Sequence, residues 1–374
     1  LHKGELCFMK KLFALVLAVL TAAFAAPVFA EDVPVIRASY TMTTHQQAFM
    51  VAMAEGEKLK DNGVWLKPIV PKEKFDLYDN GKKVARLEVI VTKSGSEATT
   101  LFAQGHLDLT TNSFPAMISG IDSGAKIKVI SPLQSDAIAM VSRTDIDVKG
   151  WEAFEKYVKD SKRPVTVGYH SPTSAPKIVF EAAMAQSNLR VTGDANATKE
   201  QADIVMMDLK GIPNVIPALI AKQVEFAVIP APTPEVIEAK GQGHVVLQMK
   251  ELEPAGAWED FPCCCIAASD KAIAEQPEAL RAFVELMDVT SQWCLANKDQ
   301  AAVATGDWLG IEPAVISKAV MGLSTTVTPT WMKNAALYPD ILNELGQLTG
   351  SLKGKKLADV QDQVFDFQFT KTAR

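Results

Sequence analysis

Lys93 to Pro115 reads KSGSEATTLFAQGHLDLTTNSFP, and the fold is decided by how this stretch is read. Ser94-Gly95-Ser96-Glu97 has the composition of a helix entry, with Ser96 as the candidate N-cap and Glu97 in the first turn, where a carboxylate favours the positive end of the helix dipole. Ala98, Leu101 and Phe102 fall at i, i+3 and i+4 and give the helix one apolar face; Gly105 stands where a left-handed C-terminal residue is expected. A strand, Leu107-Asp108-Leu109, then runs into Thr111-Asn112-Ser113 and Phe114-Pro115. Two turns rich in backbone donors and hydroxyls thus fall at one edge of an expected parallel sheet, where α/β proteins bind small molecules.

The same unit recurs. Val33–Tyr40 predicts a first strand feeding Thr41-Met42-Thr43-Thr44-His45, then a helix from about Gln46 to Lys60. Thr43, Thr44 and His45 either meet a polar ligand or, for the threonines, simply cap the helix. Asn80-Gly81 between Val64 and Val91 signals a hairpin, read as an excursion from the first domain. Lys126–Arg143, where the chain is expected to leave that domain, holds two apolar pieces, Ile127–Ile130 and Ala137–Val141, separated by Ser131-Pro132. Val165–Tyr169 predicts a strand entering His170-Ser171-Pro172-Thr173-Ser174, followed by a helix from Lys177 to Ala185; Phe226–Ile229 enters Pro230-Ala231-Pro232-Thr233 in the same way. The strand Phe261–Ala268 is the expected return, and helices follow at Pro277–Ala296, Gln300–Leu309, Pro313–Met321 and Trp331–Leu348.

A chain of 374 residues with 48% hydrophobic content is long enough for two α/β domains. Its formal charge is −6, of which residues 1–30 contribute +2, leaving −8 for the remainder. That balance opposes nucleic-acid or anionic-membrane binding as the main role. Met9-Lys10-Lys11, the apolar run Leu12–Ala26 and Val28-Phe29-Ala30 form a charged, apolar and small-residue series that reads as a cleavable secretory signal, so the mature chain is expected in the periplasm. No Walker A loop, His-Glu-x-x-His, Gly-x-Ser-x-Gly or Cys-x-x-Cys occurs, and no catalytic residue, cofactor or metal is assigned.

Gly95-Ser96-Glu97, Ala103–Asp108, Val167–Ser171, Ala218-Leu219-Ile220 with Phe226-Ala227-Val228, and Ser269-Asp270 with Pro277–Phe283 form an ordered set. In that set the chain resembles the periplasmic solute-binding proteins of ABC importers, of the nitrate/sulfonate/taurine-type, NMT1-like (thiamine-precursor) group. The resemblance implies an α/β, type II-like binding-protein fold: two Rossmann-like domains joined by two hinge strands, with a helical C-terminal tail on the first lobe. The boundaries are residues 1–30 for the leader and signal, 31–138 for the first part of lobe one, 139–262 for lobe two and 263–374 for the rest of lobe one. It further implies a monomer that captures a small organic or inorganic anion between the lobes. Delivery would be to an ABC permease with a separate ATPase; the alternatives are thiamine-pyrimidine binding or a secreted relative of the pyrimidine synthase.

The expected ligand-binding residues are Thr43, Thr44, His45, Gly95, Ser96, Glu97, Asn112, Ser113, Phe114, His170, Ser171, Thr173, Ser174, Pro230, Ala231, Trp258 and Cys263. Arg143 and Lys93 are candidate sources of positive charge. Cys263-Cys264-Cys265 resembles the start of the CCCFC motif of the eukaryotic pyrimidine synthases, with Ile266 and Ala267 in place of its last two residues. On a regular strand Cys263 and Cys265 share one face and Cys264 takes the other, which is poor spacing for a shared metal. Buried packing, a disulfide involving Cys294, and ligand or metal contact all remain open.

Overall fold

The computed structural model describes residues 33–370; the signal reading at residues 1–30 lies outside them. From Pro34 onward the chain is one compact unit containing two sheets. The strands are β1 (Val35–Tyr40), β2 (Val64–Val70), β3 (Lys74–Asp79), β4 (Lys82–Val91), β5 (Leu109–Ser113), β6 (Ile127–Asp136) and β7 (Ile138–Ser142). They continue with β8 (Val165–Tyr169), β9 (Val191–Thr192), β10 (Ile204–Asp208), β11 (Phe226–Pro230), β12 (His244–Gln248), β13 (Pro262–Ser269) and β14 (Met321–Leu323). The first sheet has the order β14-β6-β13-β5-β1-β4-β3-β2 and the second β12-β7-β11-β8-β10-β9.

Each sheet has a parallel centre, β4-β1-β5 in the first and β11-β8-β10-β9 in the second. Beside each centre lies an antiparallel strand that follows a crossing between the sheets: β13 on β5, and β7 on β11. The first crossing is abrupt. Asp136 and Ala137, which link β6 to β7, both have left-handed backbone conformations, with φ of 61° and 54°. Two consecutive non-glycine residues there are strained, and strain of this kind persists where the surroundings hold it.

Helix formation follows burial. Phe154 and Val158, four residues apart, are the buried residues of the Trp151–Asp160 helix, while its acidic and basic residues stay outside. In β11 all five residues from Phe226 to Pro230 are buried, as a central strand covered on both faces requires.

Several expectations are corrected. The two apolar pieces of Lys126–Arg143 part at Ala137, not at Ser131-Pro132, which lies inside β6. β2 and β3 extend the first sheet through the Asn80-Gly81 turn, whose residues have φ of 47° and 81°, so this segment is an integral edge. The first helix is regular only over Gln47–Glu55; it tightens at Gly56, where a Cβ would lie 2.1 Å from the Leu66 carbonyl oxygen. Pro313 begins a four-residue helix, after which Met321 enters β14. The single helix expected over Trp331–Leu348 is two, Pro329–Ala335 and Leu337–Glu344. Pro339 supplies the cause: it cannot donate to the carbonyl of Ala335 and its ring clashes there.

The C-terminal segment docks beside the helix Phe114–Asp122. Buried Asp122 accepts hydrogen bonds from the backbone N–H groups of Thr349 (2.9 Å), Gly350 (2.9 Å) and Leu352 (2.7 Å). Gly350 is required at this close approach, since a Cβ would fall 2.0 Å from the Asp122 carbonyl oxygen. Phe114 anchors the same layer, packed edge-on against Trp331 and Tyr338 and stacked with Phe365. Asp122→Ala leaves the buried Leu352 N–H and the partly exposed Thr349 and Gly350 N–H groups unpaired and is expected to cost about 2 kcal/mol. Urea unfolding measures it; a loss below about 1 kcal/mol contradicts the docking role.

Candidate functional site

The C-terminal ends of β1, β4, β5, β8 and β11 lead into the loops that surround a cavity between the two sheets. Its lining is Thr41, Thr43, His45, Gln46, Ser94, Gly95, Asn112, Ser113, Cys263 and Cys264 from the first sheet's loops and strands, and His170, Ser171, Ser174, Ala175, Pro176, Ile212 and Pro230 from the second's. Among the described residues no Lys, Arg, Asp or Glu belongs to this lining.

Helix starts crowd the cavity. Ser94 caps the helix Gly95–Ala103 by accepting from the Glu97 N–H at 3.4 Å; Ser174 precedes the helix Ala175–Gln186, and Ser113 the helix Phe114–Asp122. The N-cap is therefore Ser94, not Ser96, and Glu97 turns back to accept from the Lys93 N–H at 2.6 Å. Gly95 permits the tight entry: a Cβ there would lie 2.5 Å from the Ala116 Cβ. Unpaired N–H groups at helix starts give partial positive charge, favourable to a compact anion.

The two sides are in direct contact. Ser96 Oγ lies 2.8 Å from Thr173 Oγ1 and 3.1 Å from Ser171 Oγ, and Ser113 Oγ donates to the Thr173 carbonyl at 3.3 Å. Thr44 N–H donates to the Ala231 carbonyl at 3.2 Å. With the walls in contact the cavity between them has a volume of about 40 Å³. A larger cavity of about 290 Å³ lies at the crossing, lined by Ala137, Val179, Met249, Trp258 and Phe261 among others. The smaller one is the candidate site because polar groups and helix starts from both sheets converge on it.

Ten expected residues line the candidate cavity: Thr43, His45, Gly95, Asn112, Ser113, His170, Ser171, Ser174, Pro230 and Cys263. The others stand elsewhere. Ser96 and Thr173 bridge the walls, Thr44 and Ala231 pair with each other, and Glu97 belongs to the helix cap. Phe114 is core, because β5 continues to Ser113 and turns the next side chain inward. Trp258 lines the larger cavity and donates from Nε1 to the Glu253 carbonyl. Arg143 pairs with Asp145 at 2.9 Å, and neither it nor Lys93 joins the lining. Thr41, Gln46, Ser94, Ala175, Pro176, Ile212 and Cys264 also line it without having been expected; all but Ile212 lie within two residues of an expected position.

The cysteine strand departs from regular alternation. The pairing of β13 with β6 shifts register between Pro262 and Cys264 and again between Cys264 and Cys265. A bulge re-aims side chains. Cys263 Sγ consequently lies 3.3 Å from His45 Nδ1 and Cys264 Sγ 3.8 Å from the same nitrogen, so adjacent cysteines address one point. Gln46 Nε2 donates to Cys264 Sγ at 3.4 Å. All four described cysteines are free and buried, and Cys294 packs in a separate cluster with Val51 and Leu323. The Cys264 thiol is held below its ordinary value by the hydrogen bond from Cys263, helped by His45 and Gln46, and burial raises Cys265.

The histidines differ. His45 Nε2 lies 2.8 Å from the Ala137 carbonyl, which can only accept, so Nε2 carries a proton and Nδ1 is the ring nitrogen that faces the thiols. His170 Nδ1 is buried without a partner among the described residues. Burial first, and His45 second, lower His170 to about 4, against a small raising by Asp208.

The chain belongs to the NMT1-like family, whose model matches residues 38–306. Its fold is that of the periplasmic binding proteins. The nitrate-binding protein of Synechocystis PCC 6803 aligns over 90% of this chain and 87% of its own with a TM-score of 0.66 at 13% identity. The alkanesulfonate-binding protein of Xanthomonas axonopodis pv. citri, bound to MOPS, aligns over 86% and 96% with a TM-score of 0.62 at 12% identity. An uncharacterised protein of Methanocaldococcus jannaschii is 33% identical over 139 residues, 36% of this chain and 96% of that one.

The lowered His170 value predicts a pH-dependent stability. Between about pH 6.5 and 4 the unfolded chain takes up a proton that the folded chain refuses, so stability falls as pH falls, by about 3 kcal/mol for this group. Urea unfolding at pH 7 and 4.5 should show a smaller drop in His170→Gln than in the parent. Equal drops contradict a neutral buried His170.

Proposed function

We propose that this chain is the solute-binding component of an ABC importer, secreted to the periplasm, which closes over a small anion and delivers it to a permease with a separate ATPase. The observation that carries the reading is the convergence of three helix starts and several hydroxyls from both sheets on one cavity that, among the described residues, has no carboxylate. The lobes correspond to residues 31–138 with 263–374, and 139–262, and the chain works as a monomer. Binding without turnover is the behaviour this reading expects of the chain.

Size narrows the ligand. At about 10–15 Å³ of comparable volume per water, the closed cavity holds about three or four water-sized groups. That suits nitrate or the head of a sulfonate and is tight for an aminopyrimidine, so an oxyanion is favoured over the thiamine-precursor reading. The nitrate- and sulfonate-binding structural neighbours agree with this class.

Thermal unfolding with nitrate, taurine, alkanesulfonates and thiamine pyrimidines tests it. At a hundredfold excess over Kd one oxyanion should add about 2.7 kcal/mol, a rise of several degrees in Tm. Ser96→Ala, which removes both contacts of Ser96 across the cleft without altering the lining, should weaken that ligand about tenfold. If no oxyanion shifts the transition and a pyrimidine does, the anion reading is wrong.

A further inference from the structure

We infer that His45, Cys263 and Cys264 form a binding site for a thiophilic divalent ion of the Zn²⁺ class. The three ligand atoms, one imidazole nitrogen and two sulfurs, all lie within 4.8 Å of one another, and all three residues are buried. The spread is close to what a tetrahedral ion needs: bonds of about 2.0–2.1 Å to nitrogen and 2.3 Å to sulfur put ligand atoms a little under 4 Å apart. A small inward movement of three side chains is enough.

Three features beyond proximity support the assignment. The β13 bulge brings neighbouring cysteines to one point, which a regular strand would prevent. His45 is already oriented as a ligand: its Nε2–H is engaged by the Ala137 carbonyl at 2.8 Å, so Nδ1 is the ring nitrogen that faces the sulfurs. A backbone carbonyl in this role is the usual outer partner of a metal-bound imidazole. Finally, His170 Nδ1, from the opposite sheet, borders the same cavity, buried and without a partner among the described residues.

Two sulfurs and one imidazole select a borderline-soft ion over Mg²⁺ or Ca²⁺, which take oxygen ligands. Three protein ligands leave a fourth position for cavity water, a captured anion, or His170. Among the described residues the cavity otherwise has no cationic side chain, and an ion here would supply a positive charge. Binding releases thiol protons to solvent, and no electron transfer is involved.

The test uses the purified chain, reduced and stripped with chelator. Co²⁺ titration should give an intense thiolate-to-metal band that saturates at one equivalent, and Zn²⁺ should abolish it by displacement. Native mass spectrometry of the parent should show one bound Zn²⁺ accompanied by proton loss. His45→Gln and Cys263→Ser/Cys264→Ser should each lower Zn²⁺ affinity at least a hundredfold, while Cys294→Ala leaves it unchanged. Absence of the cobalt band in the parent overturns the inference, as does an undiminished band in folded His45→Gln; the parent's spectrum and mass decide the matter if the double variant does not fold. Because the site does not depend on an anion being bound, titrating nitrate and alkanesulfonates into chelator-treated protein separates it from the anion reading: either can fail while the other stands.

Discussion

The carbonyl oxygen of Ala137 accepts from the Ala231 N–H at 2.9 Å and from His45 Nε2–H at 2.8 Å. One acceptor on the crossing between the sheets therefore ties the loop after β1 to the loop after β11. Ala137 is strained, with φ of 54°, and these two bonds are among the contacts that hold it there. Everything else at the cavity depends on this placement: it fixes the His45 ring, the ring faces the thiols, and Ala231 in turn receives the Thr44 N–H. The crossing is thus part of the site's structure as well as the link between its walls.

The chemistry of the cavity is that of many weak donors in place of one strong charge. Helix starts contribute partial positive charge through backbone groups, each worth about 0.3–1 kcal/mol toward an anion at an exposed site and more when enclosed. Hydroxyls of Ser96, Ser171 and Thr173 meet across the cleft and hold the walls together without charge, so closure does not bury an ion pair. Cations sit elsewhere, for example Arg143 on Asp145 and Lys177 on Glu181.

Much of this was legible in residues. Strand–hydroxyl loop–helix units announced a parallel α/β scaffold, because hydroxyl and glycine residues after apolar runs have few other uses, and the loops named from them supply most of the lining. What was not legible came from tertiary register. Phe114 could be placed in the core only once β5 was known to reach Ser113, and Trp258 in another cavity only once the path of the second crossing was known. The cysteine run shows the limit most clearly. Alternation assigns Cys264 to the face opposite Cys263, and it is the shifted pairing with β6, invisible in the local sequence, that turns both toward His45. The helix cap is a subtler case: Ser94 and Ser96 have equal capping chemistry, and only the entry angle permitted by Gly95 decides between them.

The central claim is that the walls close over a small solute at this cavity. Small-angle X-ray scattering of the purified chain, with and without the anion that raises its melting temperature, tests that claim most directly. The account predicts a smaller radius of gyration and a narrower distance distribution in the bound state, with scattering that matches the closed structure. Saturating anion with an unchanged scattering curve would contradict it.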